Sequence, residues 1–317
     1  MKKTNLIKAA VISILLLSLV LMGGCSGNKD GAGEKKVKVG FCNGNDADFF
    51  QTLVKAEFRK QVGSDPVFEV IYTDAGGDSQ AQLNSFDTFI SQGVNIIVVI
   101  PVDTASIVPG IQKANQAKIP VLSISSNSGG GDFTYIGNTY IDGGILQAEY
   151  MIKHLPQNAK IVYLMGMPGY DHSRDRRAGF LDTLAKARPD VTVLADQTAN
   201  YMRDQAMKIM EDWIQSFSQI DGVICANDQM ALGALQALKI ANRNNGVLIA
   251  GVDATDEALQ EIEAGNMAMT VLQSAPMLVD ATYESLKKLQ AGQTLEKRII
   301  IPQVAISSEN IDEYLNK

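Results

Sequence analysis

The chain is 317 residues long with a formal net charge of −7, and 46% of it is hydrophobic but only 6% aromatic. That acidity argues against a nucleic-acid or anionic-lipid partner, and the length suits one large or two modest domains with enough apolar content for a core. Three cysteines (Cys25, Cys42, Cys225), two histidines (His154, His172) and the lack of any Cys-x-x-Cys leave no structural metal site and no cofactor motif in view.

Lys2 and Lys3 precede an apolar run from Ile7 to Met22, interrupted by Lys8 and two serines and followed by Gly23-Gly24-Cys25. A basic start, a short apolar stretch and small residues before a cysteine predict a cleaved export signal over 1–24. The run is short for a membrane span of roughly 20 residues. The ending is similar to that of bacterial lipoprotein signals, with Met22 where leucine is usual, and this implies lipid attachment at Cys25. Residues 25–36 are small, polar and glycine-rich, the composition of a flexible tether.

Beyond the tether, β-branched runs alternate with amphipathic patterns. Strands are predicted at Val37–Phe41, Val67–Tyr72, Asn95–Ile100 and Val121–Ile124, separated by helices at Phe49–Val62, Ser79–Ser91 and Ala105–Ala117, with Asp78 capping the second. The cycle then restarts. Strands are predicted at Lys160–Met165, Val191–Ala195, Gly222–Cys225, Val247–Val252 and Met267–Leu272, and helices at Ser173–Ala187, Arg203–Ser216, Asp228–Asn242, Asp256–Ala264 and Leu278–Ala291. Such regular alternation predicts an α/β protein of two similar doubly wound parallel-sheet lobes. Their join is placed near Asn138–Gly144, where Gly137, Gly143 and Gly144 punctuate the chain. The last helix and Arg298–Ile301 follow the second lobe and are expected to cross back through a multi-strand hinge. The first lobe is then 37–138 plus 273–302, and the second 139–272 plus 303–317.

Ligands of open parallel sheets bind beyond the carboxyl ends of the strands. The segments there carry Asp46, Asp48, Phe49 and Phe50 after the first strand, Asp103 after the third and Ser125-Ser126 after the fourth. In the second half they carry Arg174, Tyr201, Asn227, Asp253 and Gln273. Carboxylates, amides and a guanidinium beside aromatic rings suit a sugar or polyol, whose hydroxyls donate and accept and whose C–H face an aromatic ring covers. Adjacent Phe49 and Phe50 face different ways on a helix start, so one of them is expected in the core. Asp228 and Asp256 read as helix caps, Asp103 as either a turn residue or a ligand group, and Trp213 as core. Cys42 and Cys225 end strands and read as buried thiols rather than a disulfide.

At these residues the chain resembles the periplasmic sugar-binding proteins of the ribose/galactose type. Asn227-Asp-Gln-Met-Ala-Leu-Gly-Ala234, Gly251-Val-Asp253 and Gly166-x-Pro-Gly leading to Arg174 and Gly179-Phe180 carry the likeness, which covers essentially all of 37–317. The resemblance implies that Phe49, Phe50 and Tyr201 flank a sugar ring and that Arg174, Asn227, Asp253 and Gln273 hold its hydroxyls. Two departures stand out. Ser125-Ser126 replaces the Asp-Arg of ribose binders, and Ala47, flanked by Asp46 and Asp48, stands where those have Asn.

The resemblance implies a monomeric receptor without enzymatic activity or cofactor. Lipid at Cys25 would anchor it to the outer face of the cytoplasmic membrane. It would close on a monosaccharide or related polyol and deliver it to an ABC-type permease. The alternative is a receptor of the same fold that reports a sugar-like autoinducer to a sensor kinase. The chain has no Gly-x-Ser-x-Gly, Walker loop or His-Glu-x-x-His to support an enzyme. A signal and tether fill the place where a LacI-type repressor carries its DNA-binding helices.

Overall fold

The computed structural model describes residues 36–315. The export signal, Cys25 and all of the tether but Lys36 lie outside the described residues. Among the described residues, no helix is long and apolar enough to cross a membrane.

Two six-stranded sheets organise the chain. The first contains β1 (Val37–Asn43), β2 (Phe68–Asp74), β3 (Ile96–Val99), β4 (Val121–Ile124), β5 (Thr134–Gly137) and β11 (Arg298–Ile300), in the order β11-β5-β4-β3-β1-β2, and its recorded pairings are all parallel. The second contains β6 (Lys160–Met165), β7 (Thr192–Thr198), β8 (Gly222–Cys225), β9 (Leu248–Asp253), β10 (Met269–Leu272) and β12 (Ala305–Ser307), in the order β12-β10-β9-β8-β6-β7. Only β12 runs antiparallel, against β10.

Helices cover both faces of each sheet, which is why the central strands are apolar throughout instead of alternating. On the first sheet, α1 (Phe49–Gln61) and α9 (Ala275–Gln290) bury Phe50, Val54, Phe58, Leu278 and Leu286 on one face. On the other, α2 (Ser79–Ser91) and α3 (Val108–Gln116) bury Phe86, Phe89 and Ile111. On the second sheet, α4 (Tyr140–His154) and α5 (Asp171–Ala187) bury Met151, Phe180 and Leu184. Its opposite face is covered by α6 (Arg203–Ser216), α7 (Asp228–Ile240) and α8 (Asp256–Glu263), with Trp213 in that core.

Three segments cross between the sheets, after β5, after β10 and between β11 and β12. They are tied together near the crossing: Ile301 N–H donates to Gly137 O (2.8 Å), Asn138 Nδ2 to Ile301 O (2.8 Å) and Leu272 N–H to Val304 O (2.7 Å). Cys42 and Cys225 are buried free thiols.

Two things differ from expectation. The sequence pattern shows neither β5, α4 nor β12, and over α4 Gly143-Gly144 reads as a break. In the fold these glycines lie inside a helix, and one of them is there for close packing. A Cβ on Gly144 would stand 2.0 Å from the Arg176 carbonyl oxygen. The second difference concerns caps. Asn227 and Thr255, not Asp228 and Asp256, cap α7 and α8, accepting from Met230 N–H (3.0 Å) and Ala258 N–H (3.3 Å).

Candidate ligand-binding site

The carboxyl ends of both sheets face one chamber, with about 300 Å³ of non-atom space that is partly open to solvent. From the first lobe come Asp48, Phe50 and Gln51, at the start of α1, and Ser125, just past β4. From the second come His172 and Arg176 on α5, Tyr201 after β7, Asn227 after β8 and Asp253 at the end of β9, with Gln273 on the crossing after β10. Every one of these follows or ends a strand, as expected for a ligand site of parallel sheets.

Seven of the expected residues therefore meet: Asp48, Phe50, Ser125, Tyr201, Asn227, Asp253 and Gln273. Five do not. Arg174 points outward, 69% exposed, and pairs with Asp175 at 2.7 Å. Asp46 is held by Lys55 (2.5 Å) and Asn43 Nδ2 (2.6 Å) outside the chamber. Asp103 closes its own turn, accepting from Ala105 N–H (3.0 Å) and Ser106 N–H (2.7 Å). Ser126 bonds Asp171 of the opposite lobe at 2.9 Å. Phe49 is 42% exposed, whereas its neighbour Phe50 is buried.

The guanidinium in the chamber belongs to Arg176, which is 2% exposed. Its Nη1 donates to Ala226 O at 2.7 Å, its Nη2 bonds Gln273 Oε1, and its plane lies over the Tyr140 ring, 5.1 Å from the centroid. A helical signal for it exists in the sequence. His172, Arg176 and Phe180 are spaced four apart, so they share one face, and Phe180 is fully buried. Position 174 lies on another face of α5. His172 is enclosed by aromatic rings, with centroids of Tyr170, Tyr140 and Tyr201 at 4.7, 5.2 and 5.3 Å.

A model of the "Periplasmic binding protein domain" family matches residues 39–294. The chain belongs to the periplasmic binding protein family. Among its relatives, the xylitol-binding protein of Mycolicibacterium smegmatis is 35% identical over 77% of this chain and 70% of its own length. The ribose import binding protein of Bacillus subtilis is 28% identical over 93% of this chain and 97% of its own. A solved ABC transporter solute-binding protein of Bacillus halodurans, with bound myo-inositol, superposes with a TM-score of 0.83 at 30% identity, covering 90% of this chain and 98% of that one.

In this periplasmic binding protein the lobes are drawn together on one flank of the chamber. Gln51 Nε2 donates to the Tyr170 hydroxyl (3.3 Å), and the Asp171 carboxylate accepts from the Ser126 hydroxyl (2.9 Å) and Asn127 N–H (3.0 Å). The chamber itself is polar and strained. Ser125, Tyr201 and Asp253 all have positive φ (62°, 64° and 121°), which costs a side-chain-bearing residue about 1–3 kcal/mol and persists only where the surroundings impose it. Asp253 Oδ2 and Arg176 Nε are buried and have no hydrogen-bond partner in the protein. Burial pushes the Asp253 carboxyl well up, helped by neighbouring Asp228 and opposed by Arg176. Burial also raises Asp48, against the pull of Gln51 N–H, His172 and Arg176. Among the described residues, no His/Cys/Asp/Glu cluster is arranged to hold a metal ion.

Proposed function

We propose that this protein captures one neutral monosaccharide or related polyol between its lobes and delivers it to an ABC-type permease. The supporting observation is that residues lining one chamber carry buried atoms without partners, among them an acceptor on Asp253 and a donor on Arg176. Leaving such groups unpaired costs about 1–3 kcal/mol each. A ligand dense in hydroxyls, each able to donate and accept, removes that cost at both. Phe50 and Tyr201 supply rings from opposite lobes for its C–H faces.

The xylitol, ribose and myo-inositol named for the relatives above fit this chemistry and support the reading. Export and lipid attachment at Cys25 belong to the same proposal and rest on the first 25 residues. Calorimetric titration of the mature protein against myo-inositol, xylitol, ribose and galactose tests capture, with micromolar or tighter binding of at least one expected, about −8 kcal/mol. No heat and no thermal shift with any of them would count decisively against it. Incorporation of labelled fatty acid into the wild type but not into Cys25→Ala tests the anchor.

A further inference from the structure

The lobes do not meet evenly around the chamber. The α5 flank carries the interlobe hydrogen bonds, and Gly169 O adds a long contact from Thr104 N–H at 3.5 Å. On the opposite flank, where α1 faces α8 and the start of α6, no hydrogen bond recorded among the described residues joins the lobes. A groove runs there instead, with about 1430 Å³ of space partly open to solvent, against about 300 Å³ in the chamber. Phe50, Asp253 and Gln273 line both, so the groove is an extension of the chamber.

Its two walls differ in chemistry. On the first-lobe side Phe49 and Leu53, four residues apart on α1, are 42% and 40% exposed. On the second-lobe side Arg203 is fixed as a planar fork. Its Nη1 and Nη2 donate to the two Glu257 oxygens at 2.9 and 2.5 Å, and its Nε donates to Gln229 Oε1 at 3.0 Å.

We propose that this groove is a second subsite and that its occupant is a sugar ring joined by a glycosidic bond to the polyol in the chamber. The inference rests on the capture reading above and names its substrate class: glycosylated polyols. A pyranose or furanose ring has an apolar C–H face for Phe49 and Leu53 and hydroxyl edges for the Arg203–Glu257–Gln229 plane. An alkyl chain satisfies only the first wall. Glu57, Asp256 and Glu257 outnumber Arg203 along the groove, which disfavours an anionic occupant.

Two matched probe pairs test this on the mature protein: myo-inositol against galactinol, its galactosyl derivative, and xylitol against its xylosyl derivative xylobiitol. Calorimetry of the wild type is expected to give at least tenfold tighter binding of the glycosylated member of a pair. Leu53→Arg, at an exposed position outside the chamber, is expected to erase that advantage and leave the parent polyol's affinity unchanged, which also shows that the variant is folded. A glycosylated member that binds no tighter than its parent overturns the subsite, as does an advantage that survives Leu53→Arg. If neither member of either pair binds while ribose or galactose does, the glycosylated-polyol assignment falls alone. If no polyol binds at all, the capture reading falls and the subsite with it.

Discussion

Asp171, in the first turn of α5 of the second lobe, accepts a hydrogen bond from the Ser126 hydroxyl of the first lobe at 2.9 Å. The same carboxylate takes Asn127 N–H at 3.0 Å, so one side chain clasps a two-residue stretch of the opposite lobe. Ser126, expected at the ligand, is thus turned to the other lobe.

Asp171→Ala is expected to weaken binding of every ligand by about tenfold without changing their order of preference. Hydrogen bonds to a charged acceptor contribute about 1.5–3 kcal/mol each, part of which water recovers when the lobes open. Asp171 lines no part of the chamber, so the loss falls on closure and on the seating of His172, whose N–H donates to it at 2.9 Å. Burial by itself would raise its carboxyl, but His172, Ser126 and Asn127 together hold it below the ordinary 3.8. With a depressed value the clasp is fully present above pH 3.8 and fails only as pH drops further. Titration of a ligand panel at neutral pH checks the loss, and solution scattering checks that the variant is more open.

The two arginines of α5 separate cleanly. Arg176→Lys is expected to weaken ligand binding by more than a hundredfold, about 3 kcal/mol. An ammonium cannot reproduce the guanidinium fork that holds Ala226 O and Gln273 together in the chamber wall. Arg174→Ala is expected to change affinity by less than about threefold, since an exposed pair such as Arg174–Asp175 contributes under about 1 kcal/mol. Equal losses in both variants would remove Arg176 from the site.

What was legible in the sequence follows from what is local. The strand–helix alternation reads directly from short β-branched runs, and the rule that ligands meet strand carboxyl ends selects Ser125, Tyr201, Asn227, Asp253 and Gln273 correctly as chamber-lining residues. Helical phase was the weaker signal. Choosing between Arg174 and Arg176 requires the four-residue spacing to Phe180, and motif likeness alone pointed to the exposed one. Ser126 sits where a ligand group is expected but bonds Asp171, which only the tertiary arrangement brings near, whereas Asp103 is used by its own turn, one of the two readings its position offered. α4 was unreadable because Gly143-Gly144 looks like the glycine pair of a turn, although it is Gly144 that close helix contact requires.

Gly144→Ala tests that distinction. The added methyl would lie 2.0 Å from Arg176 O and 2.8 Å from Phe180 N, both backbone atoms that cannot swing aside. Overpacking of this kind is expected to cost about 3 kcal/mol, even though alanine is the better helix former by about 1 kcal/mol. Because the displaced atom belongs to Arg176, ligand affinity is expected to fall together with the unfolding midpoint. A stabilised variant would mean that α4 and α5 do not pack this closely.

The last prediction concerns Asp228, fully buried behind the chamber wall. Its oxygens accept from Thr270 Oγ1 (2.7 Å) and from Thr255 N–H (2.8 Å). Burial pushes this carboxyl up from its ordinary 3.8, and the Thr255 and Thr270 donors only partly oppose that. The folded state therefore keeps a proton that the unfolded chain has already released. Above 3.8 the folded state binds more protons than the unfolded one, so this group's contribution to stability falls as pH rises until the folded carboxyl itself ionises. Asp228→Asn keeps a donor and an acceptor where the protonated carboxyl has them but cannot ionise. Any stability gap in the wild type's favour is thus expected to narrow steadily from about pH 5 towards about pH 8. Unfolding midpoints of both proteins across that range decide it: a constant gap would mean that Asp228 is ionised throughout, and a widening one would reverse the sign of its contribution.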